Sequence, residues 1–263
     1  VSVRLTEFAR KPPVLGAAVW MVLACISYIC VPEDHDLFWW LAYIFYLGAP
    51  TATTVFMFYL AGLYGTKSQE GRVWSLLGAG ILLWCVGEWL WFLYIQVLEV
   101  DPFPSAADYM YIAGYTPLLV GLFLKTRQSA VEYSLRKAAP NLAVSVASAA
   151  IISTFIVLPI LAADDYGATE KAISLTYPIL DVALLVLAMS VVGAFWEMRE
   201  SAFGWLLFSA GLIVTTAADI LFSSLDWQGI YYAQIDLLWI SAYLLILAGA
   251  LYQFEYHRAL AGE

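Results

Sequence analysis

Eight apolar stretches follow one another along this chain, with only short polar segments between them. They cover residues 14–32, 38–63, 72–97, 107–125, 139–162, 172–196, 202–224 and 231–254. A helix needs about 20 predominantly apolar residues to cross the hydrocarbon core of a bilayer, and each stretch is close to that length or longer. No window reads as a soluble domain, and no linker is long enough to separate two domains. The predicted architecture is therefore an all-α integral membrane protein of eight transmembrane helices joined by short loops. The basic start, "RLTEFARKPP", leads straight into the first span, so no cleavable signal is expected. Because the chain begins at Val1 without a methionine, a trimmed or processed start is expected.

Composition agrees with this. Of the 263 residues 63% are hydrophobic and 13% charged, against about 25% charged in ordinary soluble domains. The distribution of charge adds an orientation. With the N-terminus placed in the cytoplasm, Arg4, Arg10, Lys11, Lys67, Arg72, Lys125, Arg127, Arg136, Lys137, Arg199 and Arg258 fall on the cytoplasmic side, and only Lys171 falls outside. That bias predicts both termini in the cytoplasm of a multi-pass protein of the cell membrane. The outer loops are acidic instead: "PEDHD", "LEVDPFPS", "ADDYGATE" and "LDWQG". The net charge of −9 is thus split by side, and nothing suggests a nucleic-acid partner.

A pattern recurs within the chain. "DYMYIAGY" (108–115) matches "DLLWISAY" (236–243): an acid, an aromatic three positions on and a tyrosine seven positions on, all on one helical face. The same offset of 128 carries Pro50 onto Pro178, and an offset of 131 carries Glu88 onto Asp219. Two four-helix halves, 1–131 and 132–263, are therefore predicted in the same membrane orientation. Such parallel repeats place binding sites at the interface between halves.

Five acids lie within or at the edge of apolar spans: Glu88, Asp108, Asp181, Asp219 and Asp236. In the predicted topology all five fall in the outer half of the membrane, where Lys171 is the only basic residue. An ionised acid at mid-bilayer costs about 2.5–3.5 kcal/mol on insertion scales, so these side chains are expected to face the bundle interior. There they are neutral, hydrogen-bonded to Tyr or Thr, or paired with a bound cation. Tyr115, Tyr177, Tyr243, Thr215 and Thr216 are the expected donors. One reading makes Asp108 and Asp236 helix caps and the remaining acids packing contacts between helices. The other is an outward-facing acidic and aromatic ligand-binding pocket at the interface between halves. Its lining would be Glu88, Asp108, Tyr111, Tyr115, Asp181, Asp219, Asp236, Trp239 and Tyr243, with Trp84, Trp89 and Trp91 as further walls. In "DPFPSAAD" the two prolines fix an extended turn before Asp108. The matching loop, "LDWQGIYYAQ", has none and is expected to be the more mobile.

The chemistry of familiar enzymes is missing. There is no GxSxG nucleophile and no glycine-rich phosphate loop. With two histidines, His35 and His257, and three scattered cysteines, no metal site is expected, and no cofactor is indicated. Two carboxylates acting on water remain chemically open.

At "DPFPSAADYMYIAGYTPLL" the chain resembles the multi-pass sensory membrane regions that precede PAS, histidine-kinase or diguanylate-cyclase modules in bacteria and archaea. Those regions share a Pro-Phe-Pro-Ser segment, a following Ala-Asp with Tyr three positions later, a later "YPxxD" helix (here "TYPILDV") and an acid near the start of the last helix. The likeness spans roughly residues 75–250. It implies reception of an extracytoplasmic or membrane signal, passed inward by the last helix. After "LYQFEYHRALAGE" no output module follows, so an excised sensor region or a separate cytoplasmic partner is expected. A weaker similarity is to the eight-span lysoplasmalogenase-like membrane hydrolases, in which Gly-Asp and Ser-Asp pairs on two helices carry the acids. Gly87-Glu88 and Ala218-Asp219 stand in comparable places, with Glu for Asp and Ala for Ser. The expected function is a membrane sensory or ligand-binding module in contact with lipid, rather than an enzyme. A lipid hydrolase using paired acids and an accessory subunit of a membrane complex are the alternatives.

Overall fold

The computed structural model describes residues 5–128, 143–144, 146–148, 150, 152–162, 167–195, 199–226, 230 and 232–262. The described elements are helical. A short α1 (Leu5–Phe8) precedes α2 (Pro12–Cys30), α3 (Asp36–Tyr64), α4 (Gln69–Phe92) and α5 (Ala106–Gln128). Then come α6 (Leu158–Ala162), α7 (Ala168–Phe195), α8 (Arg199–Asp226) and α9 (Asp236–Ala261). A π-helical turn (Leu93–Val97) extends α4, another (Ser153–Val157) leads into α6, and a 3₁₀ turn (Ala233–Ile235) opens α9.

Seven helices among the described residues are long and apolar enough to span a membrane: α2 to α5 and α7 to α9, with α4 and α9 taken together with their flanking turns. The chain is thus an all-α, multi-pass membrane protein. Of the predicted span at 139–162, residues 139–142, 145, 149 and 151 lie outside the described residues.

Local chemistry sets the helix ends. Pro12 and Pro13 occupy the first turn of α2, where a missing N–H costs nothing. Ser68 caps α4 by accepting from Gly71 N at 2.9 Å. At the start of α5 the Ser105 hydroxyl accepts from Ala107 N at 3.1 Å, while Asp108 reaches back to Ser105 N at 2.7 Å. That is a reciprocal capping box. Pro102 in the preceding loop is buried, and the Phe103–Pro104 peptide is cis.

Helices α4 and α5 pack against each other, as do α8 and α9; α3 packs on α4 and α7 on α8. Contacts α3–α9 and α5–α7 then close the bundle, with α2 against α9 and α3. Small residues let these backbones approach closely. A Cβ on Gly80 would run into Leu118 and stand 2.8 Å from the Gly114 carbonyl oxygen. One on Gly211 would stand 2.6 Å from Ile246 and 2.7 Å from the Ala242 carbonyl oxygen. Gly80 and Gly211 are related by the 131-residue offset. Gly114 and Ala242, like Leu118 and Ile246, are related by the 128-residue offset. Trp74 and Trp205, also 131 residues apart, pack at 4.7 Å between ring centroids in the core.

Candidate functional site

The five intramembrane acids are held by aromatic donors that come from other helices. Glu88, on α4 and 4% exposed, accepts from Tyr111 of α5 at 2.7 Å and from Tyr243 of α9 at 3.1 Å. Asp181 of α7, 2% exposed, accepts from Tyr115 of α5 at 2.6 Å. Asp108 of α5 uses one oxygen for its own helix cap and takes Tyr177 of α7 on the other at 2.8 Å. Asp219 of α8, half-buried, accepts from the Trp239 indole of α9 at 2.8 Å. Asp236, the first residue of α9, accepts from Tyr28 of α2 at 3.0 Å.

Sequence places these groups for identifiable reasons. Tyr111 and Tyr115 lie one turn apart on α5, and the capping box fixes where that helix starts. Gly87 leaves room for the Tyr111 ring beside Glu88: a Cβ there would stand 2.6 Å from Tyr111 Cε1. The Trp84 indole donates to the Tyr111 carbonyl at 3.0 Å, tying α4 to α5 at the same level. Tyr46 of α3 stands beside Glu88, and its ring meets Trp239 edge-on at 6.3 Å.

Glu88, Asp181 and Asp219 form one electrostatic group: Asp181 lies within reach of the Asp219 charge and Asp219 within reach of Glu88. No Lys, Arg or His among the described residues pairs with Glu88, Asp108, Asp181 or Asp219. The ion pairs found are elsewhere, Lys11 with Glu255 and Lys125 with Glu70. Among the described residues no three His, Cys, Asp or Glu side chains gather as a metal site requires.

Several expectations need adjusting. Thr215 donates to its own helix, to the Gly211 carbonyl at 3.2 Å, and the Thr216 hydroxyl is buried with no partner among the described residues. Neither supports an acid. Their hydroxyls face helix backbone and packed neighbours, and the long tyrosines reach across instead. Trp89 is 49% exposed and donates to Thr51, so it flanks the bundle and does not wall the acid group. Asp108 is buried, with both oxygens occupied. Of the loop expected to be the more mobile, residues 227–229 and 231 lie outside the described residues.

Tyr28 and Tyr46 were missed by sequence reasoning. Tyr28 lies one turn before the acidic segment "PEDHD", level with Asp236. Its position near the C-terminal end of its span was the available signal, but no periodicity linked that span to the last helix. Comparison with family models, with curated proteins and with solved structures finds no match for this chain.

Proposed function

We propose that the chain is a sensory or ligand-binding module of the cell membrane, built from two parallel four-helix halves, 1–131 and 132–263, with both termini in the cytoplasm. The recurrence of close contacts at the 128- and 131-residue offsets supports the repeat. Gly80 meets Gly114 and Leu118 as Gly211 meets Ala242 and Ile246. Tyr111 donates to Glu88 as Trp239 donates to Asp219. The loading of the basic residues on one set of loops supports the orientation.

One observation carries the functional reading. Glu88, Asp181 and Asp219 lie in the bundle with no basic counter-charge among the described residues, and hydroxyls from the opposite half bind the first two. Tyr115 of the first half holds Asp181 of the second, and Tyr243 of the second holds Glu88 of the first. Acids within a membrane bundle are costly, and where they occur they mark binding or transfer paths. Aromatic walls from Tyr46, Tyr111 and Trp239 suit an organic ligand carrying a polar or cationic group. A ligand that replaces a tyrosine on either acid alters the ties between the halves, and α9 then relays the change to a cytoplasmic partner.

The test is retention. Wild type and the double variant Glu88→Gln, Asp219→Asn are extracted directly into nanodiscs, and bound small molecules and lipids are identified by mass spectrometry. A molecule kept by the wild type and lost by the variant supports the reading; identical profiles sink it. In parallel, lysolipids are offered to both. Cleavage by the wild type that disappears in the variant would replace the sensor reading with that of an intramembrane hydrolase.

A further inference from the structure

We propose a second binding site, separate from the acid group: a headgroup site for an anionic phospholipid, in the recess between the start of α4 and the end of α5. The recess has a volume of about 400 Å³ and is lined by Lys67, Gln69, Arg72, Leu124 and Gln128, within the range usual for ligand pockets. It opens at the membrane face that the basic residues mark. Basic recesses between spanning helices at that face suit lipid headgroups.

Charge decides the class of ligand. Lys67 and Arg72 are both exposed, and neither has a carboxylate partner among the described residues. Glu70, the acid on the same turn, is already bound by Lys125, so it does not neutralise them. Two cations, one a guanidinium able to grip a phosphate with two parallel hydrogen bonds, therefore face a cavity that no carboxylate of the described residues fills.

The recess is also firmly built. Gly65 turns the chain with φ of +80°, Ser68 N donates back to the Gly65 carbonyl at 2.8 Å, and Ser68 caps α4 through Gly71. A Cβ at Gly71 would collide with the Gly65 carbonyl, so this tight turn requires glycine there. Lys67 and Arg72 are thus carried on either side of a fixed backbone corner.

The apolar surroundings favour a lipid over a free anion. Leu124 forms one wall, and Val120, one turn earlier on the same side of α5, is 42% exposed toward the hydrocarbon. The Phe123 ring beside it is 50% exposed and lies under the Arg127 guanidinium at 5.8 Å. A phosphate between Lys67 and Arg72 leaves its acyl chains a path along Val120 and Leu124.

The experiment uses the full chain in nanodiscs of phosphatidylcholine with a minority of phosphatidylglycerol, and native mass spectrometry reads the retained lipid. Lys67→Ala and Arg72→Ala should each weaken phosphatidylglycerol retention about five-fold, and the double variant about 25-fold. Arg72→Lys, which keeps the charge and loses the fork, should fall between wild type and Arg72→Ala. Both side chains are exposed, so helicity by circular dichroism should not change. Arg258→Ala, at the same face on α9, should leave retention close to wild type. Unchanged retention in the double variant would overturn the proposal. So would an equal loss in Arg258→Ala, which would mean a general surface attraction. Displacement of the lipid by inorganic phosphate at matched concentration would reassign the recess to a free anion.

Discussion

Replacing Tyr115 by Phe should destabilise the bundle more than replacing Tyr243 by Phe, although the two tyrosines occupy matching places on α5 and α9. Each substitution removes one hydroxyl and leaves the ring. The difference lies in what the acid keeps. Asp181 is 2% exposed, and Tyr115 is its one hydrogen-bond donor among the described residues, at 2.6 Å. Glu88 loses a 3.1 Å bond when Tyr243 is changed and retains the shorter bond from Tyr111. Hydrogen bonds between membrane helices average about 0.6 kcal/mol and reach about 1.7 kcal/mol. A short, fully buried bond to a carboxyl group left with no other donor belongs near the top, at about 1.5 kcal/mol. The longer, shared bond belongs near the average, at about 0.5 kcal/mol. The difference of about 1 kcal/mol is roughly a five-fold change in the unfolding equilibrium. Unfolding by SDS titration or steric trapping in bicelles can resolve it. A cycle with Asp181→Leu, which removes the acceptor at similar size, should abolish the cost of Tyr115→Phe. A Tyr243→Phe penalty equal to or larger than that of Tyr115→Phe would refute the reasoning. So would a Tyr115→Phe cost that survives in the Asp181→Leu background.

Further outcomes can be read with the same unfolding assay. Gly114→Ala places a methyl 2.5 Å from Trp84 Cδ1 and 2.9 Å from the Gly80 carbonyl oxygen, and should cost about 1–3 kcal/mol by overpacking the α4–α5 contact. Gly62→Ala, with nothing within 4 Å of the new methyl, should be neutral or stabilise by up to about 1 kcal/mol. Ser209→Ala and Thr216→Val remove buried hydroxyls that have no partner among the described residues, so both should be neutral or slightly stabilising. A loss above about 1 kcal/mol in either would show that its hydroxyl serves a bound group or an ordered water.

The membrane helices were legible because a bilayer allows few solutions: long apolar runs leave little besides helices. The start of α5 was legible as well, since Asp108 does serve as a cap, although its reciprocity with Ser105 and the run of the helix to Gln128 came only with the structure. Among the predicted donors, Tyr115, Tyr177 and Tyr243 do reach acids, because a tyrosine is long enough to cross a helix seam from a known face. Thr215 and Thr216 could not be told apart from those donors by sequence. Whether a threonine turns to its own backbone or to a neighbour depends on rotamer and packing. Tyr28 and Tyr46 were invisible for another reason. They belong to α2 and α3, and which helices α9 would meet is a fact of assembly that no local pattern encodes.

The way the acids are held also constrains how any ligand enters. The bonds from Tyr115 to Asp181 and from Tyr177 to Asp108 both join α5 to α7; Tyr243 to Glu88 joins α9 to α4, and Tyr28 to Asp236 joins α2 to α9. Asp108 and Asp236 stand at the heads of their helices, while Glu88, Asp181 and Asp219 lie within theirs. On the proposed reading, a ligand that takes a carboxyl group at depth must first replace an aromatic donor, and each replacement releases one specific pair of helices. Loss of the Tyr115 bond leaves Tyr177 still tying α7 to the first turn of α5, so those helices can separate only beyond that point. Loss of the Tyr243 bond frees α9 from α4 while Trp239 keeps α9 on α8. After the second change α9 is still held by Trp239 to α8, by Thr53 and Tyr64 of α3, which donate to its Tyr243 and Gln253 carbonyls at 3.0 and 3.3 Å, and by Tyr28 of α2, so the change bears on its place against α4. On the proposed reading, occupancy of Glu88 rather than of Asp181 is the event that bears on α9, the helix whose last turn carries Arg258.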